Sequence, residues 1–129
     1  MPILNLALQS DRLAVCQLPA GVTIPPWAAG AGGFLSISRT SEEVSIVCAE
    51  GLAPAGTKQE PDWRLFKVEG PLGFGLTGIL ASVIDPLAKA GISIFSVSTF
   101  NTDYVLVKAD KAGAATAALR AAGHTVKTD

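Results

Sequence analysis

The sequence predicts an α+β fold built from two copies of one small unit, the second complete and the first abbreviated. Three observations predict it. A 13-residue stretch occurs twice, as SRTSEEVSIVCAE at residues 38–50 and STFNTDYVLVKAD at residues 98–110, so that the copies start 60 residues apart. The match runs backwards without a gap, FLSI (34–37) over IFSV (94–97). An acid falls at the same place in both turns, Glu43 over Asp103, with matched apolar runs on either side. A duplicated unit creates an interface, and interfaces are where small ligands bind.

The first copy is read as follows. Residues 3–8 (ILNLAL) form an apolar strand with no role in the repeat order; they are assigned to the missing edge slot of the first unit, closing it from its N-terminal side. Residues 13–21 (LAVCQLPAG) parallel residues 65–73 (LFKVEGPLG) at an offset of 52, Pro-x-Gly over Pro-x-Gly. The later strands match at 60, so eight residues, roughly two helical turns, are missing between them. Residues 22–32, with Pro25, Pro26 and Trp27, therefore hold at most a short helical turn. After Glu50 the run GLAPAGTKQEPD has no room for a second helix, and nothing before Trp63 reads as a closing strand.

The second copy is complete. Residues 64–69 (RLFKVE) alternate like a half-buried strand. GPLGFGLTG (70–78) holds four glycines and a proline in nine positions and reads as a loop. Leu76, Ile79, Leu80, Val83, Ile84 and Leu87 have amphipathic helical spacing over residues 76–90. Pro86 has no N–H for the carbonyl of Ser82, which predicts a kink or a weak last turn, and Gly91 supplies the stop. Residues 92–98 and 104–108 are β-branched and aromatic strands around a turn at 100–103. An alanine-rich helix (111–122) and a short strand (124–127) follow. The order β-α-β-β-α-β is that of a ferredoxin-like fold. Two four-stranded antiparallel sheets or one continuous eight-stranded sheet are expected, divided into an abbreviated unit at 1–60 and a complete one at 61–129.

Composition narrows the function. Across 129 residues, 49% hydrophobic and 16% charged exclude disorder, and a net charge of −1 with scattered lysines and arginines gives no footprint for nucleic acid or an anionic membrane. The chain has no apolar run long enough for a membrane span and no basic leader, so a cytoplasmic protein is expected. Cys16 and Cys48 lie in apolar runs without C-x-x-C spacing and read as reduced, buried thiols. His124, the single histidine, reads as a solvated edge residue with no ligand partner, so neither metal nor cofactor is expected.

Residues 63–126 resemble an ACT domain, the small amino-acid-sensing module of allosteric enzymes, and in particular the ACT domains of the CASTOR type, which include arginine-sensing regulators. FKVEGPLGFGLTGILASVIDPLAKAGISIF (66–95) and STFNTDYVLVK (98–108) carry the resemblance. The resemblance implies paired units with an effector where two units meet. It also implies that the strand-to-helix loop binds the effector, through Phe74, Leu76, Thr77, Gly78 and Ile79, and that Thr99 and Asp103 of the turn contact it. The abbreviated first unit departs from that pattern.

Physical chemistry supports the same places without requiring them. A glycine-rich loop entering a helix offers free N–H groups to a carboxylate, and Asp103 can accept from an ammonium or guanidinium. Thr77 as a helix cap and Asp103 as an ordinary turn residue account for the same letters. Glu43 reads as an exposed acid opening a strand, and Trp27 and Trp63 as packing residues. The letters G-x-G-x-x-G at 73–78 lack the acid about 20 residues on, at a strand end, that a dinucleotide fold requires. No other catalytic motif is present. The expectation is a non-enzymatic regulator, acting as a homodimer, that binds an amino acid or similar zwitterion between its units and acts on an unidentified protein partner. Its rivals are an interaction module with a vestigial site and a small enzyme with Asp103 as base.

Overall fold

The computed structural model describes residues 2–30, 32–70, 72 and 77–128. In chain order the elements are β1 (Asn5–Leu8), β2 (Leu13–Pro19), α1 (Pro26–Ala29), β3 (Ser36–Arg39), β4 (Glu43–Ala49), β5 (Lys58–Val68), α2 (Ile79–Lys89), β6 (Phe95–Ser98), β7 (Asp103–Lys108), a 3-10 turn (Ala109–Lys111), α3 (Ala112–Ala121) and β8 (Thr125–Lys127). The fold is α+β and ferredoxin-like. It divides into two units, residues 11–63 and residues 1–10 with 64–129.

In the unit of residues 11–63 the strand order is β3-β4-β2-β5, antiparallel throughout. Only the four-residue α1 fills the helix layer, as two prolines in its approach allow. Ala14, Cys16, Ala28, Val44, Ile46 and Cys48 form the core, with Trp27 packed on it. Both thiols are free and buried, and burial with the neighbouring Cys48 pushes Cys16 up to about 11.

The closing strand missing from the sequence reading is present. Residues 58–63 are the first half of β5 and pair with β2, Gln17 opposite Lys58 and Leu13 opposite Trp63. The run KQEPDW hides it because proline and charge argue against a strand interior. The structure accommodates them in a bulge: the register shifts between Leu13 and Val15, and Asp62 adopts φ 67. Arg12 pairs with Asp62 there at 3.4 Å.

In the other unit, the second half of β5, α2, β6, β7, α3 and β8 give the expected β-α-β-β-α-β order. β7 pairs with both β5 and β6. β1 corrects the reading of residues 3–8: it does not close the first unit but lies between β5 and β8, with Leu6 opposite Val68 on one side and Val126 on the other. The boundary moves accordingly, from 60/61 to 63/64 with residues 1–10 joining the C-terminal unit. Alternation gives the reason. Leu4, Leu6 and Leu8 are all buried, with Phe66, Val83, Leu87, Leu119 and Val126 in the same core, and that pattern marks a strand without saying which sheet takes it.

The repeat also changes register. The repeat calls for equivalent central positions at residues 34–37 and 94–97, and the structure does not provide them: among the described residues β3 and β6 are edge strands, each paired to one neighbour. Ser38 lies opposite Ser45, whereas Val97 lies opposite Tyr104, so the hairpins are equivalent at an offset of 59, not 60. Thr40 N–H donates to Glu43 O at 2.9 Å, and Thr99 N–H to Thr102 O at 2.9 Å. The counterpart of Glu43 is therefore Thr102, and Asp103 stands over Val44.

Candidate functional site

The candidate site lies at the C-terminal end of β5, where the chain leaves the sheet for α2. Gly70 fits tightly there: a Cβ would stand 3.1 Å from Asn101 O and 3.3 Å from Thr102 Cβ, so those neighbours would have to give way to a side chain. Two hydrogen bonds tie the β6–β7 turn to this exit, Leu72 N–H to Asn101 O at 2.7 Å and Thr102 Oγ1–H to Val68 O at 2.6 Å. Thr102 is buried, and it is the anchoring residue that sequence reasoning missed. Its one signal was a small hydroxyl residue in a turn next to a glycine-rich loop.

Phe74 and Leu76 lie outside the described residues. Thr77 and Gly78 are exposed and Ile79 half-buried. α2 begins at Ile79 with Gly78 as its N-cap, in the left-handed region at φ 75. Among the described residues no side chain caps this end, Thr77 included, and no acid occupies its first turn. The leading N–H groups of α2 therefore have no carboxylate of their own, which is the condition under which a helix start accepts an external anion.

Thr99 and Asp103 are engaged within the turn. The Thr99 hydroxyl donates to Thr102 O at 3.1 Å and accepts from Thr102 N–H at 3.4 Å. Half-buried Asp103 accepts from the Ser98 hydroxyl at 2.6 Å through Oδ1. The structure thus brings the turn to the start of the loop. Among the described residues no hydrogen bond joins Asp103 to 77–79.

His124 departs from the sequence reading. It is not solvated but 5% exposed, with Leu4 bonded to one ring nitrogen and Ser82 of α2 to the other. Leu4 N–H donates to Nδ1 at 3.1 Å, and Nε2–H donates to Ser82 O at 2.7 Å. The Ser82 carbonyl is the one that Pro86 leaves without a helical N–H, so the expected defect in α2 is repaired by a side chain from outside the helix and α2 continues to Lys89. Ser82 and His124 floor a cleft of about 680 Å³ between α2 and α3, walled by Pro86, Ala90, Ala118 and Ala122.

Comparison with known proteins gives the following. A family profile for the ACT domain matches residues 58–121, and a second profile, of an N-terminal domain, matches residues 11–55. A protein of Agobacterium tumefaciens solved by X-ray crystallography is similar over 100% of this chain and 96% of its own, at 40% identity and a TM-score of 0.93. The human cytosolic arginine sensor for mTORC1 subunit 1 is 48% identical over 52 residues, 40% of this chain. The match spans only 16% of the sensor's length. The regulatory subunit of aspartate kinase from Thermus thermophilus is similar in fold, with a TM-score of 0.61 over 92% of this chain and 96% of its own, at 16% identity.

Proposed function

We propose that this chain, which belongs to the ACT-domain superfamily, is a non-enzymatic regulator that binds an amino acid or similar zwitterion at the start of α2. The uncapped α2 N-terminus behind Gly78 carries the reading: it offers N–H groups of Thr77, Gly78 and Ile79 to a carboxylate and holds no acid that would compete. The cationic end of the ligand is directed toward Asp103, with Thr99 beside it, and the family resemblance adds Phe74 and Leu76 to the proposed ligand contacts. One relative supports an amino acid as ligand class, since it is named an arginine sensor. The protein acts in the cytoplasm as a homodimer of tandem ACT units; among the described residues no helix is long and apolar enough to cross a membrane.

A thermal-shift screen of the common amino acids tests the ligand class, because a ligand at about 100 times its Kd adds roughly 2.7 kcal/mol to stability. Asp103→Asn then tests the cation end by calorimetry. Loss of a charge-assisted partner weakens the best hit by on the order of 2 kcal/mol, roughly thirtyfold in Kd. Undiminished binding would place the cation elsewhere. Sedimentation at micromolar concentration tests the dimer, against a monomer mass of 13.2 kDa.

One observation favours a second reading, an interaction module without ligand. Asp103 and Thr99 already spend hydrogen bonds on Ser98 and Thr102, as plain turn residues do. An empty amino-acid screen, together with an unchanged fold in Asp103→Asn, would favour it.

A further inference from the structure

His124 holds three segments of the C-terminal unit together through two ring nitrogens in opposite roles. Nδ1 accepts from Leu4 N–H and so carries no proton, while Nε2 carries the proton given to Ser82 O. Leu4 O in turn accepts from Thr125 N–H at 3.0 Å, so the residue leading into β1 is held through both of its backbone groups. The acceptor on α2 exists only because Pro86 lacks an N–H. A doubly protonated ring has two donors and no acceptor, and would set a second N–H against that of Leu4 where the ring is only 5% exposed.

We propose that His124 is an acid-released latch on the N-terminal strand: a proton taken from solvent at Nδ1 breaks the Leu4 bond and unseats β1 from between β5 and β8. The charged groups that face the ring are few. α2 presents Asp85 and Lys89 to the same cleft, paired with each other at 3.0 Å. From α3, Arg120 is turned to Val126 O at 2.7 Å, and on β8 Lys127 is exposed. Residues 2–8 carry no charged side chain.

The sign follows from which form holds the proton. The latched ring is neutral and the released ring takes up one proton, so the latch is closed at neutral and alkaline pH. It opens as pH falls and the ring takes up its second proton. With a single histidine in the chain, a response that follows the imidazole resonances is assignable. Release matters because β1 is a central strand that carries Leu6 and Leu8 into the core, with Leu4 just before it.

Native-state amide exchange of the full chain tests this, with the rates of Leu4, Leu6 and Leu8 corrected for intrinsic pH dependence. Uptake of one proton on release makes β1 opening rise by up to about tenfold per pH unit on acidification. In His124→Gln the corrected rates stay level with pH. Should that variant fail to fold, the imidazole carbon-bound proton resonances of the wild-type chain decide, since they titrate together with loss of Leu4 protection. Equal pH profiles in wild type and variant, or an imidazole that titrates while Leu4 stays protected, would overturn the proposal.

Discussion

The hairpins β3–β4 and β6–β7 close with the same turn and are used differently. In each, a threonine opens the turn, donates its N–H to the carbonyl three residues on and accepts that residue's N–H on its hydroxyl: Thr40 with Glu43, Thr99 with Thr102. The residue that ends the turn is where they part. Glu43 reaches an exposed side chain, accepting from Gln17 Nε2 at 3.3 Å on the neighbouring first strand β2. Thr102 instead donates from a buried hydroxyl to the Val68 carbonyl at the end of β5. One turn is pinned to its unit by a solvated pair, the other by a bond that water does not reach. The pinned turn is also the one beside Gly70 and the exit toward α2.

The largest effect expected from that difference is at Thr102. Thr102→Val keeps the volume and leaves the Val68 carbonyl buried without its donor, which costs about 1–3 kcal/mol. Urea unfolding measures it, with the m-value as a check that the unfolded state is unchanged. A loss below about 0.5 kcal/mol, the range of ordinary surface changes, would mean that water replaces the hydroxyl and that the two turns are alike after all.

Much of this was legible in the sequence, and the misses share a physical cause. α2, α3 and β7 were readable because their apolar spacing and flanking glycines are local signals. The identity of β1 as a strand was readable too, but its partners Val68 and Val126 are set by tertiary pairing. Lys58 to Trp63 looked like a linker because Pro61 and Asp62 break strand chemistry, and only a bulge makes them tolerable. The acid-over-acid match of Glu43 and Asp103 misled by one position. Hydrogen-bonding roles, not letters, define the equivalence of the turns, and a shift of one residue exchanges the faces of a strand. Of the candidate site, a helix after the glycine-rich loop was legible, although it begins at Ile79 and not at 76, whereas the Thr102 anchor and the His124 contact required knowing what lies across the sheet.

A middle-sized effect sharpens the likeness between the turns. Thr40→Val and Thr99→Val each remove a hydroxyl that bridges the turn, and each costs about 1 kcal/mol, the net worth of a typical hydrogen bond. Because the geometry matches, the two losses agree within about 0.5 kcal/mol, and being in separate units they add in the double variant. Thermal or urea unfolding of the three variants reads this directly. A Thr99 loss well above that of Thr40 would show that the second turn carries strain from its anchoring, and the comparison would then extend to the threonines themselves.

The smallest effect expected is at Glu43, and it is informative for that reason. Glu43→Gln retains a carbonyl acceptor for Gln17 and removes a charge whose hydrogen bond is exposed. Solvent screening leaves such a contact worth little, so stability changes by less than about 0.5 kcal/mol. Asp103→Asn is the matching change by letter but not by place. Its counterpart by structure is Val44, a core residue, so the acid of the second hairpin has no equivalent in the first. If both carboxylates serve only their turns, both amides leave stability and ligand binding alone. If Asp103 holds a ligand's cation, the Glu43 variant binds as wild type does while the Asp103 variant loses roughly thirtyfold. Equal losses at the two positions would restore the symmetric pair of acids that the sequence first suggested.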